Sequence, residues 1–224
     1  MTPSNAQLTD ASHYLYAEYR EGRFPMAETV DAPLMIVTPH ERAVLPIKTL
    51  HIPKSLLKTV RQVRFEVRID TAFAAVIKAC AEARPGRPDT WISPDIQLVF
   101  QEFYRQGKAH SVECWKDGEL VGGLYGLEVG GVFCGESMFS RKTDASKVAL
   151  VHLCARLDRA GFTVLDAQFH NPHLEQFGLE VMPQERYVDK LYALRDNIAD
   201  FSLKGIDISE QEMVSHYLNQ RYLR

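Results

Sequence analysis

Glu136 stands where a carboxylate is hard to place. The run Phe133-Cys134-Gly135-Glu136-Ser137-Met138-Phe139-Ser140 is otherwise small or apolar, the composition of a partly buried strand or strand end. A buried carboxylate without a partner is costly, so Glu136 must find a donor, reach a cleft or hold a proton. A second pair lies in 163–169, where Asp166 and Gln168 are two apart. In a regular strand they share a face, and Ala167 points the other way. Asp166 accepting from the Gln168 NH₂ would aim the amide carbonyl oxygen at an incoming donor. An amide oxygen is a poor base, so the pair suits orienting a nucleophile better than deprotonating one. Its bland alternative is a hydrogen-bonded pair closing a strand end.

Other chemistries fit less well. His170 and His173 lie in a Pro-containing loop, and His152 and Cys154, two apart in a helical stretch, do not share a helix face. No Cys/His cluster has structural zinc spacing. There is no G-x-G-x-x-G after a strand and no Walker-type loop.

The elements that must position these residues are legible from periodicity and punctuation. The stretch 8–22 reads as a helix ending at Gly22, with Phe24-Pro25 turning the chain, and 34–39 and 42–47 are short extended pieces broken by Pro39 and Pro46. Alternation predicts a strand in 63–70, then a helix over 71–83 and a loop over 84–90. Ser93 is placed to cap a helix with Pro94 at its first position, running to Gly107. Three strands follow, 110–115, 120–129 and 131–139, and Gly122-Gly123 in the second predict a bulge or a close backbone approach. A long helix from Ala145 ends at Gly161, a buried strand covers 163–169, and a turn with a short helix covers 171–178. Ser209 and Glu212 form a capping box for a last helix over 209–222. The order strand–helix–helix–three antiparallel strands–helix–strand is that of a GNAT-type acyltransferase, an α/β (α+β) fold. A small sheet-containing domain over 1–52 precedes a catalytic domain over 53–224. Fold analogy alone proves no function.

With 46% hydrophobic and 25% charged residues, the chain of 224 has the composition of a folded domain. The first ten residues carry no secretion signal, and no apolar run approaches the roughly 18 residues of a membrane span, so a cytoplasmic protein without a membrane partner is expected. Cys80, Cys114, Cys134 and Cys154 show no paired spacing and read as free thiols in a reducing compartment. The net charge of −3 argues against general polyanion binding, yet it hides a patch. Lys48, Lys54, Lys58, Arg61, Arg64 and Arg68 stand against Glu66 alone, a surface able to meet a phosphate backbone. A plain solvated face is the alternative.

Taken in order, 109–115, 120–126, 133–140, 145–150, 165–168 and 173–178, with Tyr19–Met26 and Trp91-Ile92 before them, closely resemble the motifs of the bacterial leucyl/phenylalanyl-tRNA–protein transferases. The resemblance covers roughly 13–191. It implies transfer of Leu, Phe or Met from aminoacyl-tRNA to an N-terminal Arg or Lys of a protein, which marks that protein for degradation by the N-end rule. It implies Glu136 in the reaction cleft, binding the acceptor amine or its basic side chain, with Asp166 orienting Gln168 against the attacking amine. Leu124, Phe133, Leu150, Leu153 and Leu165 would line the donor side-chain pocket, with Ser137 and Met138 of the same motif also binding substrate. Trp91 would stack on the terminal adenosine. Lys54, Lys58, Arg61 and Arg64 become the tRNA-backbone surface. No cofactor is needed, since an aminoacyl ester is already activated and holding it against an amine supplies up to ~7–11 kcal/mol in favourable systems. A monomer is expected.

The chain departs from the family pattern in three places. Ile36-Val37 stand where two tryptophans usually precede the Ser-Pro-x-x-Arg-like run Thr38–Arg42, Met182-Pro183-Gln184 replaces Ile-Pro-Arg, and the segment beyond about 192 has no clear family counterpart. Three competing readings stay open. One is a coenzyme A-dependent N-acyltransferase, disfavoured because no glycine lies between Ser137 and Gly161 to make a pyrophosphate turn. The others are a peptidoglycan-bridge aminoacyltransferase and a non-catalytic binder of tRNA or of protein N-termini.

Overall fold

Ser4 opens the first helix of the computed structural model, which describes residues 3–83 and 89–220. In α1 (Asn5–Arg20) the Ser4 hydroxyl accepts from the Gln7 N–H at 3.3 Å and Gln7 Oε1 accepts from the Ser4 N–H at 2.8 Å. That reciprocal box satisfies two of the donors a helix start leaves open. The chain then makes a small antiparallel hairpin, β1 (Phe24–Met26) and β2 (Met35–Val37). Phe24-Pro25 therefore begins a strand and is not a simple turn. β3 (Glu41–Leu45) leaves this hairpin and enters the main sheet.

The basic stretch contains a helix that its short apolar pattern did not announce, α2 (Lys54–Arg61), followed by β4 (Glu66–Ile69) and α3 (Phe73–Ala81). Of the loop expected over 84–90, residues 84–88 lie outside the described residues, as do 221 and 222 of the helix expected over 209–222. Ser93 accepts from the Ile96 N–H at 3.3 Å and starts α4 (Pro94–Arg105), with Pro94 at its first position. The meander follows as β5 (Ala109–Lys116), β6 (Glu119–Val129) and β7 (Val132–Ser140). Both expectations for Gly122 are met. The β5–β6 register slips past Val121, and a Cβ on Gly122 would lie 2.4 Å from the Ala145 Cβ.

That close approach seats the start of α5 (Ala145–Ala160) on the sheet; Gly161 closes it in a left-handed conformation. β8 (Val164–Gln168), α6 (Pro172–Glu175), β9 (Glu180–Pro183), α7 (Gln184–Leu194) and α8 (Glu210–Gln220) complete the chain. β9 and α7 were not expected; the Pro183 that breaks the sequence pattern caps α7. The main sheet has the order β4-β5-β6-β7-β8-β3-β9, with β7 and β8 its one parallel pair among the described strands. Two apolar clusters cover it. One gathers α2, α5 and α8, the other α1, α3, α4 and α7. No helix among the described residues is long and apolar enough to cross a membrane, and the four cysteines are free and buried.

Candidate active site

A parallel pair of strands that separates makes a cleft inside a sheet. β7 and β8 pair at Val132–Val164, Phe133–Leu165 and Cys134–Asp166; beyond that point β7 continues against β6 alone. Glu136 lies just past the fork. On the β6 side Tyr125 pairs with Ser137 and Gly126 with Gly135, so Glu136 is the extra residue of a bulge. A bulge re-aims the side chain it carries. This is how a carboxylate in an apolar strand reaches the cleft.

Its surroundings are uneven. Glu136 Oε1 accepts from the Tyr19 hydroxyl at 2.8 Å and from Gln168 Nε2 at 3.0 Å, while Oε2 is buried with no hydrogen-bond partner. Burial pushes the Glu136 carboxyl up to about 8, although both donors pull it down. Burial, and then the neighbouring Glu136, holds the Tyr19 phenol well above its ordinary value. Burial thus favours the neutral carboxyl in the empty site, and a cation arriving beside it favours the ionised form.

Asp166 does not hold the Gln168 side chain, as the two-residue spacing predicted. Its Oδ1 accepts from Arg42 Nε at 2.8 Å and from the Gln168 backbone N–H at 2.8 Å. Its Oδ2 accepts from Arg42 Nη2 at 2.5 Å and from the Tyr187 hydroxyl at 2.7 Å. The reason is a second irregularity. β3 pairs Ala43 with Gln168 and Val44 with Asp166, skipping Ala167, and Gln168 has a left-handed φ of 63°. The period-2 rule fails there, and the Gln168 amide swings to Glu136.

Arg42 is 1% exposed and Asp166 0%, so the pair is fully enclosed. The guanidinium lies between the rings of Phe24 and Tyr187, 4.6 and 4.3 Å from their centroids. Arg42 Nη1 donates to the Gly22 carbonyl at 3.0 Å, and Gln184 Nε2 donates to the same oxygen at 2.9 Å. Gln184 thus joins Arg42 on the Gly22 carbonyl, while its own Oε1 is buried without a hydrogen-bond partner. Ile36 and Val37 lie half-buried in β2, paired with Pro25 and Phe24.

In front of Glu136 is a cavity of about 400 Å³. Trp91, Leu124, Ser137, Met138, Leu150, Leu153 and Leu165 line it. Leu45, Tyr125, Asn171, His173 and Leu174 join them, and the sequence singles out none of these for the pocket. Phe133 does not line it. Its ring stacks on Phe201 at 5.4 Å and is fully buried behind the pocket wall. Lys54, Lys58 and Arg61, spaced by four and three, share the exposed face of α2. Arg64, also exposed, donates to Gln62 Oε1 from Nε and Nη2 at 3.0 and 2.8 Å. Among the described residues no group of three or more His, Cys, Asp or Glu gathers as a metal site.

The partners that sequence reasoning missed are Tyr19, Arg42 and Tyr187. Tyr19 opens the 19–26 motif and Arg42 ends the Thr38–Arg42 run, so the letters were visible without a task. Nothing in the sequence marked Tyr187.

The family model described as leucyl/phenylalanyl-tRNA protein transferase matches residues 44–192. The chain is 54% identical over 192 residues to the leucyl/phenylalanyl-tRNA–protein transferase of Paramagnetospirillum magneticum, covering 85% of this chain and 89% of that one. To the protein of that name in Hyphomonas neptunium it is 53% identical over 188 residues, 84% of this chain and 73% of the other. To its namesake in Rhodospirillum rubrum it is 47% identical over 195 residues, 87% of this chain and 92% of the other. A solved structure, L-PGS from Bacillus licheniformis, aligns with a TM-score of 0.41 and 14% identity over 93% of this chain and 62% of that one, a likeness too weak to build on.

Proposed function

The chain belongs to the leucyl/phenylalanyl-tRNA protein transferase family, and from that premise we propose that it moves Leu, Phe and Met from aminoacyl-tRNA to the N-terminal Arg or Lys of cytoplasmic proteins. One observation carries the residue roles: Glu136, whose carboxyl is buried with one unpartnered oxygen, is among the residues that line an apolar cavity at the fork of two parallel strands. The fork between β7 and β8, with α5 after β7, supports a GNAT-type arrangement.

In this reading the donor's side chain enters the apolar cavity among Leu124, Met138, Leu150, Leu153 and Leu165. A hydrophobic pocket separates one-methylene neighbours by only about 1–3 kcal/mol, so broad acceptance of Leu, Phe and Met with exclusion of polar side chains follows. Trp91, one of the residues lining the cavity, stacks on the terminal adenosine. Glu136 Oε2 receives the cation of the acceptor. The Gln168 amide, its NH₂ engaged by Glu136, offers its carbonyl oxygen to the attacking amine. An α-amino group of pKa roughly 7.7–8.0 is about a tenth neutral at pH 7, enough for attack once geometry is held. The amine attacks the ester carbonyl, the amide bond forms, the ester C–O bond breaks, and the departing ribose oxygen takes the amine's proton. Asp144, with a left-handed φ of 67°, sits at the start of α5 and pairs with Lys147 at 3.2 Å. A carboxylate at that helix start disfavours a coenzyme A pyrophosphate.

The division at residue 52 is proposed as one of task. Residues 1–52 clamp the site through Tyr19 and Arg42, while 53–224 carry the pocket and the chemistry. The protein acts as a monomer. The exposed face of α2 with Arg64 meets the tRNA backbone. Reversing the charge of Lys54, Lys58 and Arg61 together flattens the log Kd against log salt slope by about 0.9 for each phosphate no longer neutralised. An unchanged slope removes α2 from the interface.

The deciding assay is transfer of labelled Leu and Phe from charged tRNA to a peptide beginning with Arg, without coenzyme A. RNase-sensitive labelling of the peptide N-terminus is the expected result. No transfer by folded protein overturns the reading.

A further inference from the structure

The segment after α7 lies outside the residues matched to the family, yet it is built around one buried ring. Between α7 and α8 the chain has no helix or strand, and still Phe201 is only 1% exposed. The segment is pinned at each step. The Gly131 N–H donates to the Leu194 carbonyl at 2.8 Å, tying the end of α7 to the β6–β7 turn. The Asp200 carboxylate accepts from the Ser202 and Lys204 N–H groups, both at 3.0 Å, and Leu203 takes a left-handed φ of 52° to complete the turn. Arg156 Nη1, from α5, donates to the Phe201 carbonyl at 2.7 Å, and Nη2 pairs with Glu210 at the start of α8.

The Phe201 ring bridges two parts of the sheet. It stacks on His110 of β5 at 4.1 Å and on Phe133 of β7 at 5.4 Å, with Phe162 edge-on at 6.4 Å. Phe133 is the register partner of Leu165, and Leu165 is a wall of the cavity. α8 packs on α5, which carries Leu150 and Leu153 into the same cavity. Dense packing transmits a change of volume to its neighbours.

We propose that Phe201 is a positioning residue that sets the size of the donor side-chain pocket from behind, acting through Phe133 on Leu165. The proposal rests on the donor reading given above. Emptying the Phe201 site lets Phe133 and then Leu165 recede, so the pocket deepens and the larger donor gains. A ring that merely filled the core would change stability without changing which donor is preferred.

The test compares full-length wild type with Phe201→Leu and Phe201→Ala. For each, kcat/KM is measured with leucyl-tRNA and with phenylalanyl-tRNA, at a temperature well below the melting transition. In Phe201→Ala the phenylalanyl-to-leucyl ratio rises about tenfold, the scale of a methylene-sized change in such a pocket. Phe201→Leu moves it less and in the same direction, and the KM for the acceptor peptide is unchanged in both. A ratio within about twofold of wild type in folded variants overturns the proposal, since that margin lies below one methylene's discrimination. If the alanine variant does not fold, the leucine variant decides. Wild type that transfers neither residue removes the donor reading and this proposal with it; wild type that transfers both, with an unmoved ratio in the variants, removes only the proposal.

Discussion

Glu136→Gln lowers kcat/KM toward a peptide with N-terminal arginine by roughly 10²–10³-fold, the usual loss when one preorganised electrostatic partner is removed. The substitution keeps shape. A glutamine carbonyl still accepts from Tyr19 and from Gln168, as Oε1 does at 2.8 and 3.0 Å, so only the charge that meets the acceptor is lost. The pH dependence separates this from simple misfolding. With the carboxyl held up at about 8 by burial, its ionised fraction rises across neutral pH, passes one half near 8 and levels off only at higher pH. The wild-type acceptor KM therefore falls as pH rises toward 8, and in Glu136→Gln that limb disappears while titration of the acceptor amine remains. The stability sign is opposite. The folded chain keeps a proton that the unfolded chain has released above its ordinary value of 4.5, so folding stability drops between pH 4.5 and about 8. Glu136→Gln removes that drop. An acceptor KM whose pH profile matches wild type in the variant would take Glu136 out of acceptor binding.

Arg42→Met destabilises the protein by about 3–5 kcal/mol, because it leaves Asp166 buried without its counter-charge. The urea midpoint falls by roughly 1–2 M at the denaturant sensitivities usual for such chains. The pair is 1% and 0% exposed, with a fork-on-carboxylate contact at 2.8 and 2.5 Å, so water cannot compensate for the loss. Arg42→Lys recovers little, since an ammonium cannot make both bonds and still reach the Gly22 carbonyl. The double change Arg42→Met with Asp166→Asn regains part of the stability by removing the stranded charge. It does not restore transfer, because the Asp166 bond to the Gln168 N–H, which sets the left-handed turn at Gln168, is weakened. A midpoint unchanged in Arg42→Met would mean that the rings of Phe24 and Tyr187, not the ion pair, hold this corner.

Some of the fold was legible because local signals and tertiary packing agree. Ser93 caps α4, Ser209 donates to and accepts from Glu212 at the start of α8, and Gly161 ends α5 in the conformation only glycine takes easily, whereas the Ser4 cap that starts α1 at Asn5 was not read from the sequence. The meander β5–β6–β7 was read as three successive strands, and three strands form it. α2 and α7 were missed for the same reason: each begins at a proline cap without a side-chain hydrogen bond, so no capping letter announces it. β9, only Glu180–Pro183, and β1, Phe24–Met26, are held by strand pairing, a signal absent from their own letters, whereas β2 lies within the extended piece read over 34–39.

The amino-acid sequence by itself determined the chemical inventory: an out-of-place carboxylate at Glu136, the Asp166 and Gln168 pair and a basic stretch over 48–68. Its ordered motifs also determined the family. Tertiary structure decided which atoms meet. Two bulges, at Glu136 and at Ala167, break the two-residue period on which side-chain direction was inferred. With that period broken, Gln168 bonds to Glu136, and Asp166 is engaged by Arg42, 124 positions away along the chain. The same holds for Tyr19 on Glu136, 117 positions away, and for Phe133, withdrawn from the pocket onto Phe201. Bulge positions and long-range partners depend on how strands pair across the sheet. A single strand's letters fix its residue types, whereas pairing fixes where each side chain points.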